Sequence, residues 1–238
     1  MSGLLILCAT EFELSVFLGR HSDGVKHTLK NGQTLYAAAG SPPAWACLVT
    51  GPGVFNTAMG LAAYLERQTP ALILDTGIAG AYEPAGIGDV GIADEEQYLH
   101  TGVGNEPLAL AALPFDLIPD IPGTRQGRYG FDPELVEACT EQLKAALPAD
   151  LCRIVTGRFL TVSAITEGRQ RAGDVHKRLS PVMEAMEGAA AAHVARCFDV
   201  PLIEVRAASN IAGERNKDNW DFKCAVGLVD RICRCFVR

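Results

Sequence analysis

Two acidic residues follow the first apolar run of the sequence and are the first candidates for chemistry. The run from Leu4 to Cys8 has the composition of a buried strand, and Glu11 and Glu13 come just after it. A carboxylate at that point is suited to general-base catalysis, in which it takes a proton from an attacking water molecule. A helix cap or a surface acid is the alternative for either residue. Both side chains lie on similar sides of an extended stretch, so spacing alone does not choose between them.

Two glycine-rich segments follow predicted strands. The first, from Gly51 to Gly53, begins like a dinucleotide-binding fingerprint, and Asp75 lies at about the right distance for a ribose contact. Asn56, however, replaces the third glycine, and Asp75 leads into a second segment from Thr76 to Gly80. Together the segments predict a small ligand held by backbone amides. Tight packing of strands against helices is an equal alternative, because it also requires glycine.

An acid and an amide come next, each close to a predicted strand. Glu187 follows the apolar run from Val182 to Met186, where it either caps a helix or accepts hydrogen bonds from two sugar hydroxyls. Asn210 follows the strand predicted at Leu202 to Arg206, at the sheet edge where α/β proteins bind ligands. It either forms a turn or offers its amide to a heterocycle. His193 is predicted to pack within an alanine-rich helix.

Composition narrows the classes of protein and partner. With 238 residues, 48% of them hydrophobic, the chain is predicted to form a single domain over residues 1–238. The net charge of −7 and the scattered basic residues argue against a nucleic-acid partner. The densest basic run, from Arg169 to Arg178, alternates with acids and is typical of a solvated helix face.

The sequence predicts neither disulfides, a metal site nor a cofactor. The eight cysteines include no CxxC pair, and the five histidines are dispersed, so reduced and buried thiols are expected. The first eight residues lack a basic leader and are too short to span a bilayer, and they run into acidic residues. We therefore expect a cytoplasmic protein with no membrane partner.

Short apolar runs alternate with helical patterns, which predicts an α/β fold. Residues 101–132 are the exception, because prolines and glycines interrupt any regular pattern, and we expect a long functional or disordered loop there. The predicted strands are Leu4–Cys8, Thr34–Ala39, Trp45–Thr50, Ala71–Asp75, Val90–Ala93, Arg153–Thr156, Phe159–Ser163, Val182–Met186 and Leu202–Arg206. The predicted helices are Asn56–Arg67, Pro133–Leu147, Glu187–Phe198 and Phe222–Phe236.

In their order and spacing, these segments resemble the nucleoside phosphorylase and nucleosidase superfamily, most closely its nucleosidases. The resemblance is firmest over Ala9–Leu14, Thr50–Gly91 and Glu184–Trp220. It implies a three-layer αβα fold with a central mixed, twisted sheet flanked by helices. It also implies a small purine nucleoside as substrate, no cofactor, and a homodimer or larger homo-oligomer.

The resemblance also assigns roles, residue by residue. Glu13 matches the acid that activates water, which makes the choice that spacing leaves open. Ile78, Ala79 and Gly80 match the segment beside the ribose and the water. The remaining matches are Met186 and Glu187 for the ribose, Ile165 and Thr166 for the purine, and Asn210 at the position of an aspartate that protonates purine N7.

Two departures from the family pattern carry information. Ile165 stands where an aromatic residue is usual in the adenine-specific enzymes. Asn210 replaces the family's aspartate, and an amide is no general acid, although it hydrogen-bonds N7 and a neighbouring 6-oxo group. The sequence therefore favours a 6-oxopurine nucleosidase. An adenine-specific nucleosidase, a phosphate-dependent phosphorylase and a non-catalytic binding module are the alternatives, and the acids Glu11 and Glu13 disfavour a bound phosphate.

Overall fold

A computed structural model describes residues 2–40 and 43–237 of the chain, and over these ranges it shows one mixed sheet with helices on both faces. The strands are β1 (Ser2–Cys8), β2 (Val25–Thr28), β3 (Thr34–Ala37), β4 (Trp45–Val49), β5 (Pro70–Ala81), β6 (Val90–Tyr98), β7 (Arg128–Gly130), β8 (Ile154–Thr161), β9 (Met183–Ala185) and β10 (Leu202–Ile211). The α-helices are α1 (Ser15–Arg20), α2 (Val54–Leu65), α3 (Pro133–Ala146), α4 (Arg169–Leu179), α5 (Gly188–Cys197) and α6 (Phe222–Phe236).

Part of the sheet closes on itself. Strand β5 pairs with β10, which continues through β6, β8 and β9 and returns to β5. From this ring the sheet extends through β1, β4, β3 and β2. Strand β5 pairs in parallel with both β1 and β10, so the ends of these three strands open onto the same edge of the sheet.

The alternating residues of β1 show how the layers are built. Leu5 and Leu7 pack in one apolar cluster with residues of α2 and α5, whereas Ile6 and Cys8 pack in another with residues of α1, α3 and α6. Because successive side chains of a strand point to opposite faces, each face of the sheet receives its own layer of helices. The predicted three-layer αβα fold with a central mixed sheet is confirmed.

Two segments predicted to follow strands lie inside strands instead. Thr76–Gly80 belongs to β5, and Asn210 is the penultimate residue of β10. Both strands run past their predicted ends because each pairs with the other through Gly80 and Asn210. Apolar periodicity does not predict these strand ends, since they consist mostly of small and polar residues. The two strands predicted at Arg153–Thr156 and Phe159–Ser163 are likewise a single strand, β8.

The segment 101–132 is more ordered than the sequence predicts. It contains β7 and two short 3-10 helices, Pro107–Ala109 and Pro122–Gln126. The buried Thr124 accepts hydrogen bonds from the amides of Leu117 and Ile118, and Arg125 binds Asp116 through two nitrogens. Such local side-chain contacts, which leave no periodic pattern, replace the missing regular structure.

Several smaller predictions are also settled. Helix α6 has the predicted bounds, and Asp221 caps its first turn by accepting from the amide of Cys224. His193 packs as expected, and its ring hydrogen-bonds the Tyr129 hydroxyl at 2.9 Å. Cysteine burial is only partly as predicted, because Cys197 is exposed. Helix α1 and the edge strand β2, all of whose residues are exposed, escaped prediction.

Candidate active site

One cavity of about 360 Å³ lies against the ends of β1, β5 and β10, with β9 along its side. Its lining brings together segments from six places in the sequence and is mostly apolar. All the residues predicted to form the site line this cavity, namely Glu13, Ile78, Ala79, Gly80, Ile165, Thr166, Met186, Glu187 and Asn210. Their roles in catalysis and binding remain predictions.

The structure separates the two acids that follow β1. Glu13 lines the cavity and is 6% exposed, with Oε2 accepting from the amide and hydroxyl of Thr10 and Oε1 accepting from the amide of Ile78 at 3.0 Å. Glu11 instead lies on the surface and pairs with Lys26 and Tyr36. The contact with Ile78 joins the end of β1 to the segment of β5 that borders the cavity. Only Glu13 is therefore placed to act on a bound molecule.

Gly77 makes room for the Glu13 carboxylate. Its φ is +152°, a conformation that side chains rarely adopt, and an added Cβ would lie 2.6 Å from Glu13 Oε1. We expect Gly77→Ala to displace the carboxylate and to lower kcat by roughly 10²-fold, since a misplacement of about 1 Å has an effect of that size. Steady-state kinetics of the variant measures this loss.

The matched control is Gly173→Ala in α4, where nothing lies within 4 Å of an added Cβ. This variant should retain the wild-type kcat. Equal kcat in the two variants would contradict the role given to Gly77.

Glu187 is held from three directions just before α5 begins. Its Oε1 accepts from the amide of Gly53 at 2.9 Å, and its Oε2 accepts from the amide of Met186 at 3.1 Å and lies 3.6 Å from Arg206 Nη1. Gly53 has a φ of +91°, which turns its amide toward the carboxylate. A side chain thus occupies the amide that a dinucleotide phosphate would need, which disfavours the dinucleotide interpretation of this segment.

A β-bulge orients Asn210. The register of β10 against β5 shifts between Ala208 and Asn210, so Ser209 is the extra residue. The Asn210 amide accepts from the Ser209 hydroxyl at 2.9 Å and donates to the carbonyl of Ile211 at 2.9 Å. One N–H of its NH₂ group therefore stays available to a ligand.

Glu184 completes the polar lining and escaped the sequence analysis. It accepts from the amide and hydroxyl of Thr166 and from the hydroxyl of Tyr82. Burial, followed by the charge of Glu184, raises the pKa of Tyr82, so this hydroxyl stays protonated and donates. A carboxylate has about four acceptor positions, so one on Oε1 remains open. The sequence does contain a signal for this residue, because Glu184 is a charged residue within the apolar run from Val182 to Met186.

Glu184 and Asn210 flank Gly80. The first pairs with Gly80 from β9, and the second pairs with it from β10. Since adjacent strands lie about 4.8 Å apart, the two Cα atoms are separated by about 10 Å with only a glycine between them. A flat heterocycle over Gly80 would therefore meet a hydrogen-bond acceptor on one side and a donor on the other.

Two aromatic residues line the cavity together with the polar groups. Phe12 and Trp220 line it, and Phe222 contacts both rings at centroid distances of 5.9 and 5.2 Å. The guanidinium of Arg215 lies 5.4 Å from the centre of the Trp220 ring. Among the described residues that line the cavity, Arg215 is the only cation.

Comparison with known proteins identifies the family. Residues 4–231 match the sequence profile of the phosphorylase superfamily. The chain belongs to this superfamily. A crystal structure of the methylthioadenosine/S-adenosylhomocysteine nucleosidase from Neisseria meningitidis, with 17% sequence identity, matches all of this chain and 99% of that one with a TM-score of 0.81.

Two curated relatives align with this chain over most of their own length. The futalosine hydrolase of Thermus thermophilus is 34% identical over 193 residues, which cover 79% of this chain and 78% of that protein. The methylthioadenosine/S-adenosylhomocysteine nucleosidase of Anoxybacillus flavithermus is 26% identical over 220 residues, which cover 92% and 89%. The superfamily predicted from the sequence motifs is confirmed.

Two further observations concern metals and membranes. Within residues 2–40 and 43–237, no group of three or more His, Cys, Asp or Glu side chains is arranged to hold a metal ion. Over the same ranges, no helix is long and apolar enough to cross a membrane.

Proposed function

We propose that this protein hydrolyses the N-glycosidic bond of futalosine, releasing hypoxanthine and dehypoxanthine futalosine in menaquinone biosynthesis. The coarser prediction of a purine nucleosidase is confirmed by its relatives, which include both a futalosine hydrolase and adenine-type nucleosidases. The choice of futalosine rests on the Thermus relative and on one observation in the cavity. That observation is the pairing of Glu184 and Asn210 on either side of Gly80.

This pairing matches a 6-oxopurine. The ring of hypoxanthine presents an N1–H donor beside a 6-oxo acceptor, whereas adenine presents an N1 acceptor beside a 6-amino donor. The open acceptor position of Glu184 suits the N1–H, and the free N–H of Asn210 suits the oxo group and N7. Thr166 donates its amide to Glu184, so that amide is not available to an adenine N1. These contacts support hypoxanthine as the released base.

Glu13 activates the attacking water in the proposed mechanism. The reaction passes through an oxocarbenium-like state, as glycoside hydrolysis does, and Glu13 takes a proton from water as it attacks the anomeric carbon. The amide of Ile78 and the hydroxyl of Thr10 fix this carboxylate in one orientation. Its position at the cavity wall, beside the segment of β5 from Ile78 to Gly80, supports the assignment.

Glu187 binds the ribose and Asn210 binds the base, the two parts of the substrate that hydrolysis separates. Glu187 accepts hydrogen bonds from the ribose hydroxyls, with Met186 against the sugar face. Asn210 donates to the base and stabilises the charge that develops on it as the bond breaks, which is stabilisation specific to the transition state. Phe12, Trp220 and Arg215 are left to contact the substituent at the ribose 5′ position.

A phosphorylase is the alternative that the superfamily itself raises. A phosphate cradle needs clustered cations or free backbone amides, whereas the described cavity residues include three glutamates and the single cation Arg215. We therefore expect inorganic phosphate to leave the rate of cleavage unchanged, both for futalosine and for inosine. Chromatography of the released hypoxanthine measures each rate. Strict dependence on phosphate would contradict hydrolysis and favour the phosphorylase.

Three assignments stay predictions. These are a single domain over residues 1–238, a cytoplasmic location and a homodimer or larger oligomer. Phe55 in the first turn of α2 is 87% exposed, and self-association would cover an apolar side chain of this kind.

A further inference from the structure

Four buried carboxylates, one of them Glu187 in the cavity wall, lie around one buried guanidinium. Arg206 is fully buried in β10, with Nε 2.6 Å from Glu204 and Nη2 3.1 Å from Asp75. Its Nη1 faces Glu187 at 3.6 Å. Glu96 of β6 lies beside Glu204 and is 1% exposed. A single guanidinium does not neutralise four buried carboxylates, and unpaired buried charge is costly, so protons must be bound within this cluster.

The hydrogen-bond pattern indicates where a proton resides. Glu96 uses Oε1 to accept from the Thr161 hydroxyl, and Glu204 uses Oε1 to accept from Arg206. The Oε2 atom of each carboxyl is buried and has no partner among the described residues. One proton shared between the two carboxyls gives both a partner. Burial raises the pKa of Glu96, and the adjacent Glu204 raises it further, which agrees with a shared proton.

Two routes connect this carboxyl pair to Glu187. Through side chains, Glu204 holds Arg206, which faces Glu187. Through the backbone, the Thr161 hydroxyl that donates to Glu96 accepts from the amide of Ala189, in the first turn of α5. Glu204 also lies directly beneath the first residue of α5, because a Cβ on Gly188 would fall 2.3 Å from its Oε2. The pair therefore reaches the Glu187 side chain through Arg206 and reaches its backbone through the next two residues, Gly188 and Ala189.

We infer that Glu96 and Glu204 share one proton and act together as positioning residues for Glu187. With the proton in place the pair carries a single negative charge, which leaves Arg206 free to attract Glu187 as well. Loss of the proton adds a second buried charge, draws Arg206 toward the pair and loosens Glu187. This inference rests on the proposed contact between Glu187 and the ribose.

Other titratable groups face the pair from the neighbouring strands and from α5. Asp75 approaches from β5, and burial raises its pKa too, with Arg206 opposing that rise. On β7, Tyr129 pairs with Glu96 in register, and burial raises the pKa of its hydroxyl to about 12. Burial lowers the pKa of His193, which hydrogen-bonds Tyr129. Tyr129 and His193 are both uncharged from neutral to mildly alkaline pH. Asp75 is therefore the other group that could titrate in this pH range.

The direction of the pH effect follows from the raised pKa of Glu96. A carboxyl whose pKa is higher in the folded protein than in the unfolded chain contributes stability at low pH and loses it as the pH rises through the folded-state value. Order at Glu187 should therefore fall on the alkaline side.

The test compares profiles of kcat/KM for wild type, Glu96→Gln and Glu204→Gln from about pH 6 to about pH 10. Glutamine mimics the protonated acid, so either variant should keep most of the activity at neutral pH. The alkaline limb of its kcat/KM profile should shift to higher pH by at least about one pH unit. The matched control is Glu95→Gln, because Glu95 is the adjacent residue of β6 but pairs with Arg128 and Arg158. Its alkaline limb should match that of wild type.

A limb that stays in place in both pair variants would overturn the inference, as would a limb that moves only in Asp75→Asn. The midpoint of thermal unfolding, measured over the same pH range, gives a readout independent of activity. It should fall at alkaline pH in wild type and fall less in Glu96→Gln. If wild type cleaves no purine nucleoside, the proposed function fails, and the unfolding data alone then decide whether the pair holds a proton.

Discussion

Glu13→Gln is expected to lower kcat for hydrolysis by roughly 10²- to 10⁴-fold, the range typical for loss of a general base. Glutamine has nearly the same shape, and its single oxygen accepts either from the Ile78 amide or from the Thr10 amide, so one of the two contacts is kept and the fold should persist. What it loses is the capacity to take a proton from water. Steady-state kinetics with circular dichroism as a check on folding measures the effect.

Glu11→Gln is the matched control, because it makes the same change two positions earlier in the chain. The Glu11 side chain is about half exposed and binds Lys26 and Tyr36 outside the cavity. Its hydrogen bonds to Lys26 and then Tyr36 lower the pKa of Glu11, a surface effect with no bearing on the water. We expect wild-type kcat for this variant. Equal activity in both variants would show that Glu13 is not the base.

Glu184→Gln is expected to lower kcat/KM for a hypoxanthine nucleoside by roughly 10- to 150-fold, since a hydrogen bond to a charged group contributes about 1.5–3 kcal/mol and each 1.4 kcal/mol is tenfold. The carboxylate offers only acceptors to the base, whereas a glutamine also presents an NH₂ group. Adenine nucleosides should lose far less, so the preference between the two bases narrows. Parallel kinetics with inosine and methylthioadenosine measures it.

Glu167→Gln is the control for this variant, because Glu167 is exposed although it adjoins Thr166. A second variant, Asn210→Asp, tests the other side of the base and should shift the preference toward adenine, because aspartate replaces the amide donor. Equal losses for both bases in Glu184→Gln would mean that Glu184 supports the fold of the pocket without reading the base.

The sequence predicts the segments that line the candidate site better than it predicts the polar residues buried inside strands. Glu13 and Glu187 follow apolar runs, and their positions at strand ends mark them as candidates. Glu184 and Glu204 lie inside such runs, where periodicity assigns them to the core and their partners come from distant strands. A charged residue in a buried strand is itself a signal, because such residues are rarely buried without a partner. The identity of the partner is the part that needs the three-dimensional structure.

The closure of the sheet was beyond sequence reasoning for a related reason. It depends on β9, a strand of three residues, and on pairing between β5 and β10 through their extended ends. Neither has the alternating pattern by which strands are recognised, and both rely on contacts between distant parts of the chain. The bulge at Ser209, which directs Asn210, likewise arises from the mismatch between two strands and has no local signature.

The most direct test of the proposed function is a competition between two nucleosides for the same enzyme. Purified protein would receive futalosine and methylthioadenosine in equal concentrations without phosphate, and the released hypoxanthine and adenine would be quantified by chromatography at early times. Because competing substrates are consumed in proportion to their kcat/KM values, the product ratio reports the preference directly. If the protein is a futalosine hydrolase, hypoxanthine should exceed adenine by at least about tenfold, the effect of one charge-assisted hydrogen bond. An excess of adenine would contradict it and identify an adenine-type nucleosidase.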